Sequence, residues 1–172
     1  MRYRDINSFR PPSYQVDVGW AVLDEQLARW MREKPGLNLD PDFQRGHVWT
    51  PEQQTAYIEF ILMGGSSGKE VYFNCPGWMD GTYIGPFEIV DGKQRINAVL
   101  DYMRGKVTIF NGLTAHDFED KPDILVARFR FHVNHLESRA EVLRWYLALN
   151  TGGTIHTPEE IARVRALLEK EA

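Results

Sequence analysis

A chain of 172 residues with 43% hydrophobic and 12% aromatic residues carries enough apolar material for one domain with a real core, which excludes a disordered polymer. A net charge of −4 and a pI of about 5.7 exclude a bulk electrostatic drive toward nucleic acid or anionic membrane, though not a local basic pocket. The single cysteine, Cys75, excludes a disulfide framework and a cysteine zinc site within one chain, and the lack of a long apolar run or a signal-peptide core points to a soluble cytoplasmic protein.

Residues 1–15 hold Arg2, Arg4 and Arg10 among Tyr3, Phe9 and Tyr14, then Pro11-Pro12, and read as an extended surface arm. Gln15 to Val18 reads as a short strand. Val22, Leu23, Leu27, Trp30 and Met31 recur at helical spacing, so a helix is expected over 21–33, stopped by Pro35-Gly36. Leu37-Asn38-Leu39 alternates like a strand. The polar loop Asp40 to Trp49 follows, anchored by Phe43 and Trp49. Thr50-Pro51-Glu52-Gln53 opens the next helix with an N-cap, a proline in the first turn and a capping box. Tyr57, Ile58, Ile61 and Leu62 form its apolar face, and Gly64-Gly65 ends it.

The run Gly64 to Glu70 superficially suggests a phosphate-binding loop. It lacks that motif's glycine spacing and the hydroxyl residue after Lys69, and it follows a helix instead of a strand. It reads as a flexible connection. Val71 to Phe73 is a strand, Pro76 to Pro86 a loop, and Phe87 to Val90 a second strand. That strand runs into Asp91-Gly92-Lys93-Gln94-Arg95. Ile96, Val99, Leu100 and Met103 then recur at helical spacing. Asp91 is placed as N-cap, with Gln94 at the capping-box offset, and Gly92 allows a sharp turn and close approach of a ligand. Further on, Lys106 to Phe110 reads as a strand, Asn111-Gly112 as a turn, Leu113 to Phe118 as a helical turn, and Ile124 to Val133 as a strand. Ser138 and Glu141 form a capping box for a helix bearing Val142, Trp145, Tyr146 and Leu149. It ends in Asn150-Thr151-Gly152-Gly153-Thr154, and a last helix spans 158–170.

Two Gln-Arg pairs, Gln44-Arg45 and Gln94-Arg95, stand before or at helix starts. Arginines and a lysine beside a helix N-terminus suit a phosphoryl group. The same residues also suit a well-capped helix with surface arginines paired to Asp42 and Asp91, and their spacing supports either reading. The five histidines are dispersed, so no zinc set is visible; His132 and His135 read as surface residues at a strand end. Cys75 reads as structural. Trp20, Trp30, Trp49 and Trp145 read as core, whereas Trp78, in a glycine-rich loop, suits either a base-stacking cover or a loop anchor.

The run Asp42-Phe43-Gln44-Arg45-Gly46-His47-Val48-Trp49 resembles a signature of the ParB/sulfiredoxin-like superfamily, in the branch of GmrSD-type modification-dependent restriction enzymes (N-terminal domain) and SspE-like proteins. Tyr57 to Gly64 resembles the helix that follows in that branch. Asp91-Gly92-Lys93-Gln94-Arg95 resembles its hallmark DGQQR, and Asn150-Thr151-Gly152-Gly153 its NTGG turn. The resemblance implies an α+β ParB-like fold, a small mixed sheet flanked by about five helices, in a single domain over residues 1–172. The HNH nuclease domain of those relatives has no counterpart in the sequence.

The resemblance also implies a phosphohydrolase or phosphotransferase that binds a nucleoside triphosphate with magnesium, coupled to sensing or cutting modified DNA in restriction or phage defence. A nucleotide, DNA and a separate nuclease or restriction subunit are the implied partners, and no membrane is. On this reading Asp91 holds the loop or a magnesium-bound water, and Gln94 and Arg95 contact the phosphate. Gln44 and Arg45 face the same pocket, Gly92 and Lys93 line it, and Asn150, Thr151 and Gly152 complete it. Lys93 departs from the hallmark by placing a cation where the relatives have an amide, and Asn97 stands where they often have threonine. Two alternatives stay open: a non-catalytic DNA- or partner-binding module of the same fold, and a ParB-like nuclease.

Overall fold

The computed structural model describes residues 12, 14–44, 49–151 and 158–171. Five strands form one mixed sheet: β1 (Tyr14–Gly19), β2 (Leu37–Asn38), β3 (Glu70–Asn74), β4 (Phe87–Asp91) and β5 (Arg128–Asn134). Their spatial order is β1-β5-β3-β4-β2. The β1–β5 and β3–β4 pairs are antiparallel, while β5–β3 and β4–β2 are parallel. The helices are α1 (Leu23–Arg32), α2 (Pro51–Leu62), α3 (Lys93–Met103), α4 (Arg139–Thr151) and α5 (Pro158–Glu169). The fold is α+β, with five α-helices and a five-stranded mixed sheet among the described residues.

The side-chain period of two gives the sheet unlike faces. Val71, Phe73, Ile89, Phe129, Phe131 and Val133 are fully buried in one cluster with Leu23, Leu27 and Trp30 of α1. Ile58 and Ile61 of α2 and Ile96 and Val99 of α3 complete that layer. Trp78 belongs to it as a loop anchor. Its ring lies 5.0 Å from Phe87 and 5.7 Å from Trp30, the packing of a loop anchor. Cys75 is fully buried there too, and burial pushes its thiol up to about 11, in keeping with a structural role. The opposite face carries a smaller cluster of Phe43, Val90, Val142, Trp145 and Tyr146 under α4 and α5, with Tyr72 partly buried against it.

The capping signals translate directly. Thr50 accepts from Gln53 N while Gln53 returns a bond to Thr50 N, and Ser138 and Glu141 exchange the same pair of bonds. Three expectations need correction. Lys106 to Phe110 is no strand of the sheet. The Thr108 carbonyl accepts from Thr55 Oγ1 and the Phe110 amide donates to Glu59, so side chains of α2 take the bonds a strand partner would. Positive φ angles at Phe110 and Asn111 then turn the chain, leaving a lone bridge from Ile109 to Leu113. Residues Ile124 to Val126 form a turn organised by Asp123, whose carbonyl accepts from the amides of Val126 and Ala127, and β5 begins at Arg128. The strand expected from Gln15 to Val18 is β1, and it takes in Tyr14, which is no part of an arm; the remainder of the arm, apart from Pro12, lies outside the described residues.

Candidate functional site

The β4–α3 junction is built by two backbone irregularities. The β3–β4 register pairs Phe73 with Ile89 and then Tyr72 with Asp91, so Val90 is an extra residue, a bulge that re-aims the strand end. Gly92 follows with φ +105°, and a Cβ there would meet Val71 Cγ2 at 2.9 Å. Gly92 therefore serves the backbone and the packing of α3 on β3; the space its missing side chain leaves is taken by Val71. Gly92, and not Asp91, is the N-cap of α3, and it supplies no side-chain cap. The expected Asp91–Gln94 capping box is absent because each side chain is engaged elsewhere.

Asp91 Oδ2 accepts from Arg95 Nη2 at 2.6 Å, one helical turn on. Both side chains keep partial access to solvent, 29% and 21%. A pair with this partial access to solvent contributes on the order of 1 kcal/mol. Arg95 Nε is buried and has no hydrogen-bond partner among the described residues. Gln94 Oε1 accepts from the Trp49 amide at 3.3 Å, and Lys93 Nζ donates to Asp40 Oδ1 at 2.5 Å. Lys93 holds the Asp40 carboxyl below its usual range, first by that hydrogen bond and then by its charge. The first helical bond of α3 runs from Ile96 N to Gly92 O, so the amides ahead of it have no carbonyl within the helix to reach.

The described residues on either side of segment 45–48 are tied to this helix start. Gln44 Nε2 donates to Val90 O at 2.6 Å, and with Lys93–Asp40 and Trp49–Gln94 it ties the loop to β4 and α3 at three points. Gln44, Asp91, Gly92, Lys93, Gln94 and Arg95 are thus brought together. Arg45 and Gly152 lie outside the described residues, as does the Thr151 side chain. Asn150 Nδ2 donates to Tyr146 O within α4 at 2.7 Å, and no hydrogen bond links Asn150 to the junction among the described residues.

Several contributors gave no local signal in the sequence. Arg139, at the start of α4, donates to buried Glu88 at 2.7 Å and to Asp42, and lies over the Phe43 ring at 4.8 Å. Asp42 is therefore engaged by Arg139. Burial pushes the Glu88 carboxyl up, with Arg139 opposing. Arg163 of α5 donates to the carbonyls of Phe43 and Gln44, each at 3.1 Å. These two arginines hold the Gln44 loop from the C-terminal helices. On the other side, Tyr57 donates to Gly68 O at 2.8 Å, and burial raises its hydroxyl against the opposing charge of Arg95. The glycine loop after α2 thereby comes beside Arg95: a Cβ on Gly68 would lie 3.9 Å from Arg95 Cδ.

His132 corrects another expectation. It lies within β5, is 7% exposed, hydrogen-bonds Glu70 through Nε2 and stacks on Tyr72 at 4.7 Å. It is an internal side chain of the half-covered sheet face, packed where neighbouring strands supply its partners. Among the described residues no three His, Cys, Asp or Glu side chains converge as a metal-only cage, and no described helix is long and apolar enough to cross a membrane.

A model of the GmrSD restriction endonuclease N-terminal domain matches residues 27–134. The chain belongs to this family. The match covers well over half of the 172 residues and runs from α1 to the end of β5. It includes the Gln44 loop, the β4–α3 junction, Tyr72 and His132, whereas Arg139 and Arg163 lie beyond it. Membership makes this a restriction-related domain. No curated protein and no solved structure matches the chain.

Proposed function

We propose that this GmrSD N-terminal domain binds a nucleoside triphosphate at the β4–α3 junction and hydrolyses it, as the nucleotide-dependent part of a restriction or phage-defence system with a ParB/sulfiredoxin-like fold. One observation carries the reading. Among the described residues the buried Arg95 Nε has no hydrogen-bond partner, and Arg95 Nη2 pairs with Asp91, in the first turn of α3. A guanidinium in the first turn of a helix suits a phosphate, and Lys93, paired with Asp40 at the same helix start, would add a second cation on exchanging that partner.

Magnesium fits the donor set. Asp91 Oδ1 has no hydrogen-bond partner among the described residues, and this ion takes one or two carboxylates plus phosphate oxygens instead of a protein cage. When bound, it neutralises phosphate charge. Arg95 and Lys93 would hold the terminal phosphoryl group in line and stabilise its spreading charge. Gln44, whose amide nitrogen is held by Val90 O, would present its oxygen from its loop, and Gln94 fixes that loop through Trp49. Asn150, Arg45, Thr151 and Gly152 remain proposed outer parts of the pocket. In hydrolysis water is the co-reactant: its oxygen bonds to the terminal phosphorus as the bond to the bridging oxygen breaks, giving diphosphate nucleotide and phosphate, with the water proton released to solvent. DNA and a separate nuclease subunit are the proposed partners of the coupled task.

The test incubates the protein with magnesium and a panel of nucleoside triphosphates. Phosphate release should fall by at least about 10²-fold in Arg95→Ala and Asp91→Ala. No release by the wild type, together with salt-sensitive DNA retention, would replace this reading with a binding module, and magnesium-dependent plasmid nicking without release would replace it with a nuclease.

A further inference from the structure

We propose that Tyr72 is a further catalytic residue of this site, donating a hydrogen bond from its hydroxyl to the transferring phosphoryl group; the assignment rests on the nucleotide reading above. Tyr72 is the β3 residue paired with Asp91 across the bulge, so the two share the end of the β3–β4 ladder where α3 begins. Its electrostatic environment agrees with that pairing. Burial raises the Tyr72 hydroxyl first, the charges of Glu70 and Asp91 raise it further, and Arg95 opposes them. The phenol thus lies within the fields of both members of the Asp91–Arg95 pair.

The ring is held and the hydroxyl is free. His132 stacks on it with an interplanar angle of 17°, and Trp145 meets its edge at 5.7 Å and 81°. His132 is itself fixed by Glu70 through Nε2. The Tyr72 hydroxyl has no hydrogen-bond partner among the described residues and is not a buried atom. A phenol clamped on two sides, with an unengaged donor on the strand position paired with Asp91, is a preorganised group for an oxygen whose negative charge grows during reaction. It gives up no proton at any stage. His132 and Glu70 act through the ring and are positioning residues.

The test uses steady-state phosphate release by the full chain with magnesium and its best nucleoside triphosphate. Tyr72→Phe keeps the stacked ring and removes the donor. It should lower kcat roughly 10- to 100-fold, the worth of a hydrogen bond to a charged group, with KM within about twofold. His132→Ala should lower kcat similarly by freeing the ring, and His132→Phe, which restores a stacking surface, should recover most of it. Tyr72→Phe with wild-type kcat, alongside an Arg95→Ala variant that has lost turnover, overturns the assignment and leaves the nucleotide reading standing. A wild-type chain that releases no phosphate overturns both.

Discussion

The two faces of the sheet differ in what their side chains are free to do. On the α1–α3 side, Phe73, Phe131, Ile89 and Val71 are completely buried against three helices. On the other side, the same strands present Glu70, Tyr72, His132 and Glu88, which make hydrogen bonds, stacks and ion pairs under partial cover from α4 and α5. A single strand therefore serves both purposes in alternation: in β3, Val71 and Phe73 hold the fold and Tyr72, between them, is available for chemistry. On the reading proposed above, the half-covered face is the one that meets a ligand. Its polar groups are held by pairs that each join a buried partner to a more exposed one, Glu88 with Arg139 and His132 with Glu70, whereas replacing a buried ring would open a cavity.

Substitutions along β3 and at its junction with α3 should break this division if it is wrong. The largest effect is expected from Phe73→Ala, which removes a fully buried ring packed 4.9 Å from Phe131. Urea unfolding should show a loss of about 3–5 kcal/mol. Gly92→Ala comes next, because alanine must adopt φ +105° and push against Val71. A cost of about 1–3 kcal/mol is expected, and in protein that stays folded the loss of phosphate release should exceed the loss of stability, since the helix start itself is displaced. Tyr72→Phe should change stability least, by less than about 1 kcal/mol, because both ring contacts survive and no protein hydrogen bond is lost. A Tyr72→Phe variant as unstable as Phe73→Ala would show that the outer face is structural as well.

Much of the fold was legible because its signals are local. Thr50 with Gln53 and Ser138 with Glu141 state their helix starts within four residues, and the helical stripe after Gly92 is visible in Ile96 and Val99. The Asp91–Arg95 pair is equally local, one helical turn apart. Some errors fall where a distant element decides and others where the local backbone departs from the regular pattern. Val107 and Ile109 alternate like a strand, yet side chains from α2 occupy the backbone groups of that segment. His132 reads as a surface residue until β3 supplies Glu70 and Tyr72 from some sixty positions earlier in the chain. Asp91 has the composition of a cap, but a bulge at Val90 and the left-handed Gly92 move the helix start one residue on. The Gln44 loop was recognisable by its resemblance. Its anchors Arg139 and Arg163 were not, because both act from helices that follow about a hundred residues later.

The central claim is that the β4–α3 junction holds a nucleotide phosphate through Arg95, and ligand-induced stabilisation tests it without requiring turnover. Thermal unfolding should be followed with magnesium and a non-hydrolysable nucleoside triphosphate, in the wild type and in Arg95→Ala. At a ligand concentration near 100 times Kd the wild type should gain about 2.7 kcal/mol, seen as a rise in Tm, and Arg95→Ala should gain almost none. A wild type that gains nothing from any nucleotide, or an Arg95→Ala variant that gains as much, would contradict the account.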